Sequence, residues 1–168
     1  MDFSSIDPDR MHFIYGGIFS QWWKSDFVWN GHTFNTAEQY MMYGKAMAFN
    51  DQDTAAKILV ATDPRVQKAL GREVKGYTDK EWKGRDYNTV WFGTMLKFSQ
   101  DPELMEQMNA FKDVDLFVEA SPSDKKWGIG LGLKSTTLLD ISTWKGGNLL
   151  GVAITEVRNM FRQHGILE

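Results

Sequence analysis

Apolar residues recur along this chain mostly at helical spacing. The densest stretch is Phe34-Asn-Thr-Ala-Glu-Gln-Tyr-Met-Met-Tyr-Gly-Lys-Ala-Met-Ala-Phe49. Tyr40, Met41, Met42, Tyr43, Met47 and Phe49 face several directions of a 3.6-residue turn, the mark of a buried helix. Asn35, with Glu38 three residues on, reads as a capping box that opens it. Two charges interrupt the apolar surface, Glu38 and Lys45. Seven residues separate them, which is about two turns, so both point to one side with Met42 between them. A charge in apolar surroundings is either paired or changes protonation state. Two readings stand side by side. In one, Glu38 only caps the helix and Lys45 snorkels to water. In the other, the two groups are held there for chemistry.

The remaining pattern is punctuated clearly. His12-Phe-Ile-Tyr15 predicts a short strand after a polar, loose stretch from Met1 to Arg10. Phe19 to Lys24 has no clean period and reads as a packed loop. Asp26–Trp29 and His32–Phe34 flank Asn30-Gly31, a strong hairpin signal. A second helix is expected from Asp53 to Ala61. A third is opened by Asp63-Pro64 and stops near Leu70, with Gly71 as its C-terminal punctuation. Thr78-Asp-Lys-Glu81 is a further capping box, and the apolar positions beyond it predict one long helix to Phe98. Gly84 and Gly93 weaken it locally and allow close approach of a neighbour. Asp101-Pro102 starts a helix to about Phe111. Asp115–Ala120 is a strand candidate, Thr137–Ile141 a short edge or loop, and Asn148 caps a last helix with Leu149, Leu150, Val152, Ala153, Val157, Met160 and Phe161 on its apolar positions. The expectation is a mainly α single domain over residues 1–168 with a few short β-strands.

Composition narrows the function. A chain of 168 residues is long enough for a real core. Net charge is −3 and pI about 5.6, which argues against a broad nucleic-acid-binding surface but not against a local basic pocket. The absence of cysteine removes disulfides, thiol chemistry and zinc–thiolate sites. His12, His32 and His164 are far apart and form no HExxH-like cluster. No apolar run reaches membrane-spanning length, and the N-terminus is polar and acidic. A cytoplasmic protein with no membrane partner is expected. Seven tryptophans, five tyrosines and eleven phenylalanines exceed what a core needs, and rings with polar handles suit a pocket for a flat ligand.

Two further places attract attention. Glu119 ends the apolar strand on the face opposite Val118, where solvation is the plain reading. Asp124 and Trp127 follow in a loop. An acid beside a flat ring suits a sugar or a base, against the simpler view that Asp124 makes a turn and Trp127 packs. Gly128, Gly130 and Gly132 match neither GxGxxG nor GxxxxGK[ST], yet such glycines can turn backbone N–H groups toward an anion. Arg65, Lys68, Arg72, Lys75 and Arg85 gather basic charge within an acidic chain. Arg72 and Arg85 can grip a phosphate if they line one cavity, although a charge run is more often a solvated face.

Taken together, these blocks resemble the NADAR, or YbiA-like, family. The matching residues are Thr33-Phe-Asn-Thr-Ala-Glu-Gln-Tyr40 on to Lys45, Ala61-Thr-Asp-Pro-Arg65, Gly71-Arg72, Trp82, Arg85, Lys97-Phe98, Glu119-Ala-Ser-Pro-Ser-Asp124, Trp127-Gly-Ile-Gly130 and Asn148-Leu-Leu-Gly151. The resemblance implies a small, mostly helical fold and an N-glycosidase acting on ribosides. Its substrates would be phosphorylated ribosylamino-pyrimidines of riboflavin synthesis, or ADP-ribosylated guanine in nucleosides or nucleic acid. It places the family's helix glutamate and lysine on Glu38 and Lys45, its helix tryptophan on Trp82, and its loop acid and tryptophan on Asp124 and Trp127. Two departures stand out. Gln39 follows Glu38 where histidine is common, and Gln21 stands where asparagine is usual, which bears on substrate subclass more than on activity.

On this reading Glu38 does acid–base work at C1′, Asp124 orients a hydroxyl or water, and Lys45 either donates a proton or forms a Schiff base with a ring-opened ribosylamine. Trp82 and Trp127 sandwich the base or ribose. Arg65, Arg72 or Arg85 takes phosphate. Glu119, Gly128, Gly130 and Asn148 complete the substrate contacts. Neither cofactor nor metal is expected. The rivals are a non-catalytic reader of ADP-ribose or NAD and a purely structural Glu38–Lys45 pair.

Overall fold

The computed structural model describes residue 3 and residues 5–168. In chain order its elements are β1 (Met11–Ile14), β2 (Phe27–Trp29), β3 (His32–Phe34), α1 (Ala37–Ala48), α2 (Gln52–Val60), α3 (Pro64–Arg72), α4 (Asp79–Trp82), α5 (Arg85–Ser99), α6 (Pro102–Asn109), β4 (Leu116–Glu119) and α7 (Leu149–Gln163). The fold is mainly α with a few short strands, as the spacing predicts. The expected loose stretch from Met1 to Arg10 contains a 3-10 turn at Pro8–Arg10, and its residues 1, 2 and 4 lie outside the described residues. No helix is long and apolar enough to cross a membrane among the described residues. The chain forms two compact units, residues 21–105 and residues 1–20 with 106–168.

In the unit of residues 21–105, β2 and β3 pair antiparallel with Trp29 opposite His32. Asn30 and Gly31 both have positive φ, 50° and 79°, as the tight hairpin requires. The hairpin hands Phe27 and Phe34 to a core with Leu96, against which Tyr40, Tyr43, Leu59, Phe92 and Met95 pack. Gly93 of α5 admits the Tyr40 ring: a Cβ there would stand 2.8 Å from it. The long helix expected from Thr78 to Phe98 is two helices. Gly84 has φ +86°, a left-handed conformation that ends α4 and lets α5 restart. Thr78 does cap α4, accepting from the Glu81 N–H.

In the other unit, β1 and β4 are parallel, with Met11 opposite Leu116 and Ile14 opposite Glu119. Side chains of α7 cover the outer edge of β4 in place of a third strand. Thr155 Oγ1 accepts from Phe117 N–H at 3.0 Å, Asn148 Oδ1 from Glu119 N–H at 2.9 Å, and Asn148 Nδ2 donates to Phe117 O at 3.0 Å. Buried backbone groups of a strand edge need partners, and here they find them in two side chains. Asn148 therefore precedes α7 but does not cap it by side chain; its backbone is left-handed, with φ 53°. His12, Phe19, Phe111 and Phe117 form an aromatic cluster with ring centroids 4.5–6.4 Å apart.

Candidate functional site

The start of α1 differs from the capping box expected of Asn35 and Glu38. Thr36 is the cap, its hydroxyl accepting from Gln39 N–H at 3.0 Å, and Gln39 Oε1 returns a bond to Asn35 N–H at 2.7 Å. Asn35 instead joins the following loop: its Oδ1 accepts from Gln67 Nε2 at 2.8 Å and its Nδ2 donates to Thr62 O at 3.2 Å. The cap thus lies one residue beyond Asn35. The Glu38 side chain is buried, at 6% exposure, and its N–H donates to Gln21 O at 2.9 Å.

Two turns on, Lys45 is half-buried and does not simply run out to water. Its Nζ donates to Gly71 O at 2.8 Å, a carbonyl of the last turn of α3, where positive charge is favoured. The same ammonium lies 3.7 Å from the centre of the Tyr77 ring. Gly71 was expected to end α3 but lies within it. Its role is close packing: a Cβ there would sit 2.0 Å from Met42 Sδ. Met42 and Lys45, on the stripe seen in the sequence, thus both meet α3 at Gly71. Tyr77 contacts Phe49 at 5.4 Å, and Phe49 contacts Trp82 at 6.4 Å. Trp82 is buried at 5% exposure and belongs to α4, not to a long helix.

The three arginines lie at different helix ends. Arg65 is in the first turn of α3, exposed, with Nε 3.6 Å from Asp63. Arg72 is the last residue of α3 and Arg85 the first of α5, both exposed. Of these, Arg65 lines an open pocket of about 600 Å3 together with Trp22, Lys24, Thr62, Asp63 and Pro64.

Lys97 belongs to the Lys97-Phe98 block but has no role implied by the resemblance. It is 1% exposed, and burial lowers its pKa to about 7 despite the opposing pull of Asp101. Its position on an amphipathic helix carries no signal of this; only the Lys97-Phe98 block pointed to it.

The second constellation lies in the unit that contains β4. Asp124 makes the turn that the plain reading predicts: Oδ1 accepts from Lys126 N–H at 2.9 Å and Trp127 N–H at 2.8 Å. Glu119 is half-buried, not solvated as strand alternation implied. Burial first, and the charge of Asp124 second, raise its pKa to about 7. The loop folds back so closely that Ile129 N–H bonds Glu119 O at 2.9 Å, while Gly130 N–H bonds Asp124 O at 3.2 Å. A Cβ on Gly128 would stand 2.9 Å from Glu119 O, so that glycine serves close approach. Gly130 has φ +70°. Trp127 is half-buried beside the Lys126 ammonium at 5.5 Å. Among the described residues no group of three or more His, Asp or Glu side chains is arranged to hold a metal ion.

The profile of the NADAR domain matches residues 12–162. N-glycosidase R617 of Acanthamoeba polyphaga mimivirus is 36% identical over 171 aligned positions, covering 94% of this chain and all of that protein. Protein irg-1 of Caenorhabditis elegans is 37% identical over 128 positions, covering 74% of this chain and 59% of that protein. The NMR structure of the Escherichia coli protein YbiA superposes with a TM-score of 0.76 over 95% of this chain and 89% of that one, at 24% identity.

Proposed function

The chain belongs to the NADAR family, and on that premise we propose that it is an N-glycosidase hydrolysing the bond between a ribosyl C1′ and a base or amine nitrogen. The substrate is ADP-ribosyl-guanine or a phosphorylated ribosylamino-pyrimidine, met in the cytoplasm. The observation that carries the assignment is Glu38: a carboxyl buried at 6% exposure in the first turn of α1, beside the Thr36 cap.

Cleavage of the C1′–N bond builds oxocarbenium-like charge on the sugar, gives the bonding pair to nitrogen and requires a proton there. Water then adds to C1′ and gives up a proton. A single buried carboxyl can deliver the first proton and collect the second. A low-dielectric setting strengthens its effect on developing positive charge. Lys45 contacts a carbonyl and a ring face as an ammonium does, which supports a role as hydrogen-bond donor over one as nucleophile. Within the unit that contains β4, burial and the charge of Asp124 raise the Glu119 pKa to about 7.

The test is turnover followed by mass spectrometry on both substrates, with Glu38→Gln and Lys45→Ala beside the wild type. One substrate is expected to lose its base, and Glu38→Gln to slow that by at least about a hundredfold while circular dichroism stays unchanged. Saturable binding of both compounds with no base released would replace this reading with a non-catalytic reader of ADP-ribose.

A further inference from the structure

The pocket of Trp22, Lys24, Thr62, Asp63, Pro64 and Arg65 has a composition unlike the chain around it. Lys24 and Arg65 line it, and Lys68, one turn along α3 from Arg65, lies 5.8 Å from the Trp22 ring. Two cations therefore line it with one carboxylate, Asp63, which lies 3.6 Å from Arg65 Nε, in a protein of net charge −3. Asp63 is partly engaged already, accepting from Arg65 N–H at 2.8 Å as the cap of α3. Trp22 is 40% exposed, a large apolar ring left at the surface next to those cations.

The pocket is fixed to the beginning of α1. Lys24 Nζ and Asn35 Nδ2 both donate to Thr62 O. Gln21, the residue before Trp22, accepts the Glu38 N–H at its carbonyl and is held from the other side by its Nε2 bond to Thr94 Oγ1 at 3.2 Å. The wall that carries Trp22 is thus one residue from the backbone partner of Glu38, and all of these residues belong to the same unit.

We propose that this pocket is the subsite for the phosphate-bearing end of the substrate, with Arg65, Lys24 and Lys68 on the phosphate oxygens and Trp22 against a flat ring or ribose. It rests on the N-glycosidase reading for its substrate, a ribosyl phosphate. Guanidinium and ammonium groups bind phosphate oxygens by charge-assisted hydrogen bonds. A partly exposed indole offers a stacking face that any base can use. Two lining cations and a third beside Trp22 suit a diphosphate better than a monophosphate, because two neighbouring phosphates can each meet a cation.

Isothermal titration with ADP and with inorganic pyrophosphate tests this on the intact chain. The wild type is expected to bind ADP, and more weakly as salt rises. Arg65→Glu should weaken both ligands at least about tenfold, the equivalent of one charge-assisted bond lost. Trp22→Ala should weaken ADP by a similar factor and leave pyrophosphate unchanged. Both residues are exposed, so folding is not at stake, and circular dichroism checks it. ADP binding that is absent, or that is unchanged in Arg65→Glu and Trp22→Ala, overturns the subsite. Because the titration needs no turnover, a failure here leaves the glycosidase assay to be judged by itself, and the reverse holds equally.

Discussion

Gln39 joins two helix ends with one side chain, and its replacement is the sharpest test of how this unit is built. The amide is 2% exposed. Its Oε1 accepts from Asn35 N–H at 2.7 Å at the entry to α1. Its Nε2 lies 2.9, 3.1 and 3.1 Å from the carbonyls of Ile58, Leu59 and Ala61, where α2 ends. The last carbonyls of a helix have no partner within it, so Gln39 supplies one from outside. In Gln39→Leu these bonds vanish, but not every acceptor is orphaned. Ala61 O keeps Gln67 Nε2 at 2.7 Å, and Ile58 O keeps Ala61 N–H at 3.2 Å. Leu59 O and Asn35 N–H bear the loss. At about 1 kcal/mol net per bond, plus desolvation of the stranded groups and less the apolar gain of leucine, the expected cost is about 2–3 kcal/mol. Gln39→Glu should cost more near neutrality, because a carboxylate cannot donate to three carbonyls. Its folded-state pKa would be raised above the unfolded value of about 4.3. The variant is therefore closest to wild type below that pH and falls away as pH rises through the folded value. Urea unfolding at several pH values reads both effects as shifts in midpoint at constant slope. A cost below about 0.5 kcal/mol for Gln39→Leu, or a pH-independent deficit for Gln39→Glu, would refute the assigned role.

Other expectations follow from single contacts. Gly151→Ala would drive a Cβ to 2.1 Å from Phe117 O and 2.5 Å from Asn148 Oδ1; neither atom can retreat, and a loss of about 3 kcal/mol or more is expected in the same urea assay. Gly84→Ala meets no neighbour, so only its positive φ is penalised, at about 1 kcal/mol. Lys97 has a folded pKa near 7, below its unfolded value, so the unfolded chain binds the extra proton above that pH. Wild-type stability should gain a contribution as pH rises from about 7 toward 10, and Lys97→Met should lose that slope. Glu119 has the opposite sign: its folded pKa of about 7 exceeds the unfolded one, so its contribution is full below the unfolded pKa and is lost as pH rises through 7. Glu119→Gln should remove that decline, measured as thermal midpoint against pH.

The helix and hairpin pattern was legible because it depends on neighbours in sequence. Asn30-Gly31 fixed a hairpin, Asp63-Pro64 a helix start, and Asp101 the cap of α6, where its Oδ1 accepts from Glu103 and Leu104 N–H. The errors arose where two local rules tied. Asn35 with Glu38, and Thr36 with Gln39, satisfy the same capping spacing. The choice was made by distant groups, Gln67 and Thr62, which occupy the Asn35 carboxamide. Gly84 and Gly93 likewise look alike in a helical pattern, yet one breaks the helix by its φ and the other admits the Tyr40 ring. Only the folded chain separates them. Glu119 departs from expectation for a related reason: strand alternation tells which face a residue takes, not whether a later loop covers that face. Here Ile129 bonds back to the Glu119 carbonyl.

What the structure adds to the candidate list is an account of which atoms are already engaged. Asn148 uses both ends of its carboxamide on β4, and Asp124 gives Oδ1 to two backbone N–H groups. These side chains do work that a wider sheet or a longer helix would otherwise do, because unpaired buried backbone groups are costly. Moving either one toward a substrate would open the backbone behind it. Lys45 Nζ donates to Gly71 O and lies over the Tyr77 ring, contacts of a side chain rather than of the backbone of its own helix. At the start of α1 the bond returned to Asn35 N–H comes from Gln39. Within the first turn of α1, Gln39 carries a structural role through its bonds to both helix ends, and the proposed chemical role falls on Glu38. That division gives a reason why adjacent residues of similar size should respond differently to substitution, with stability falling at position 39 and turnover at position 38.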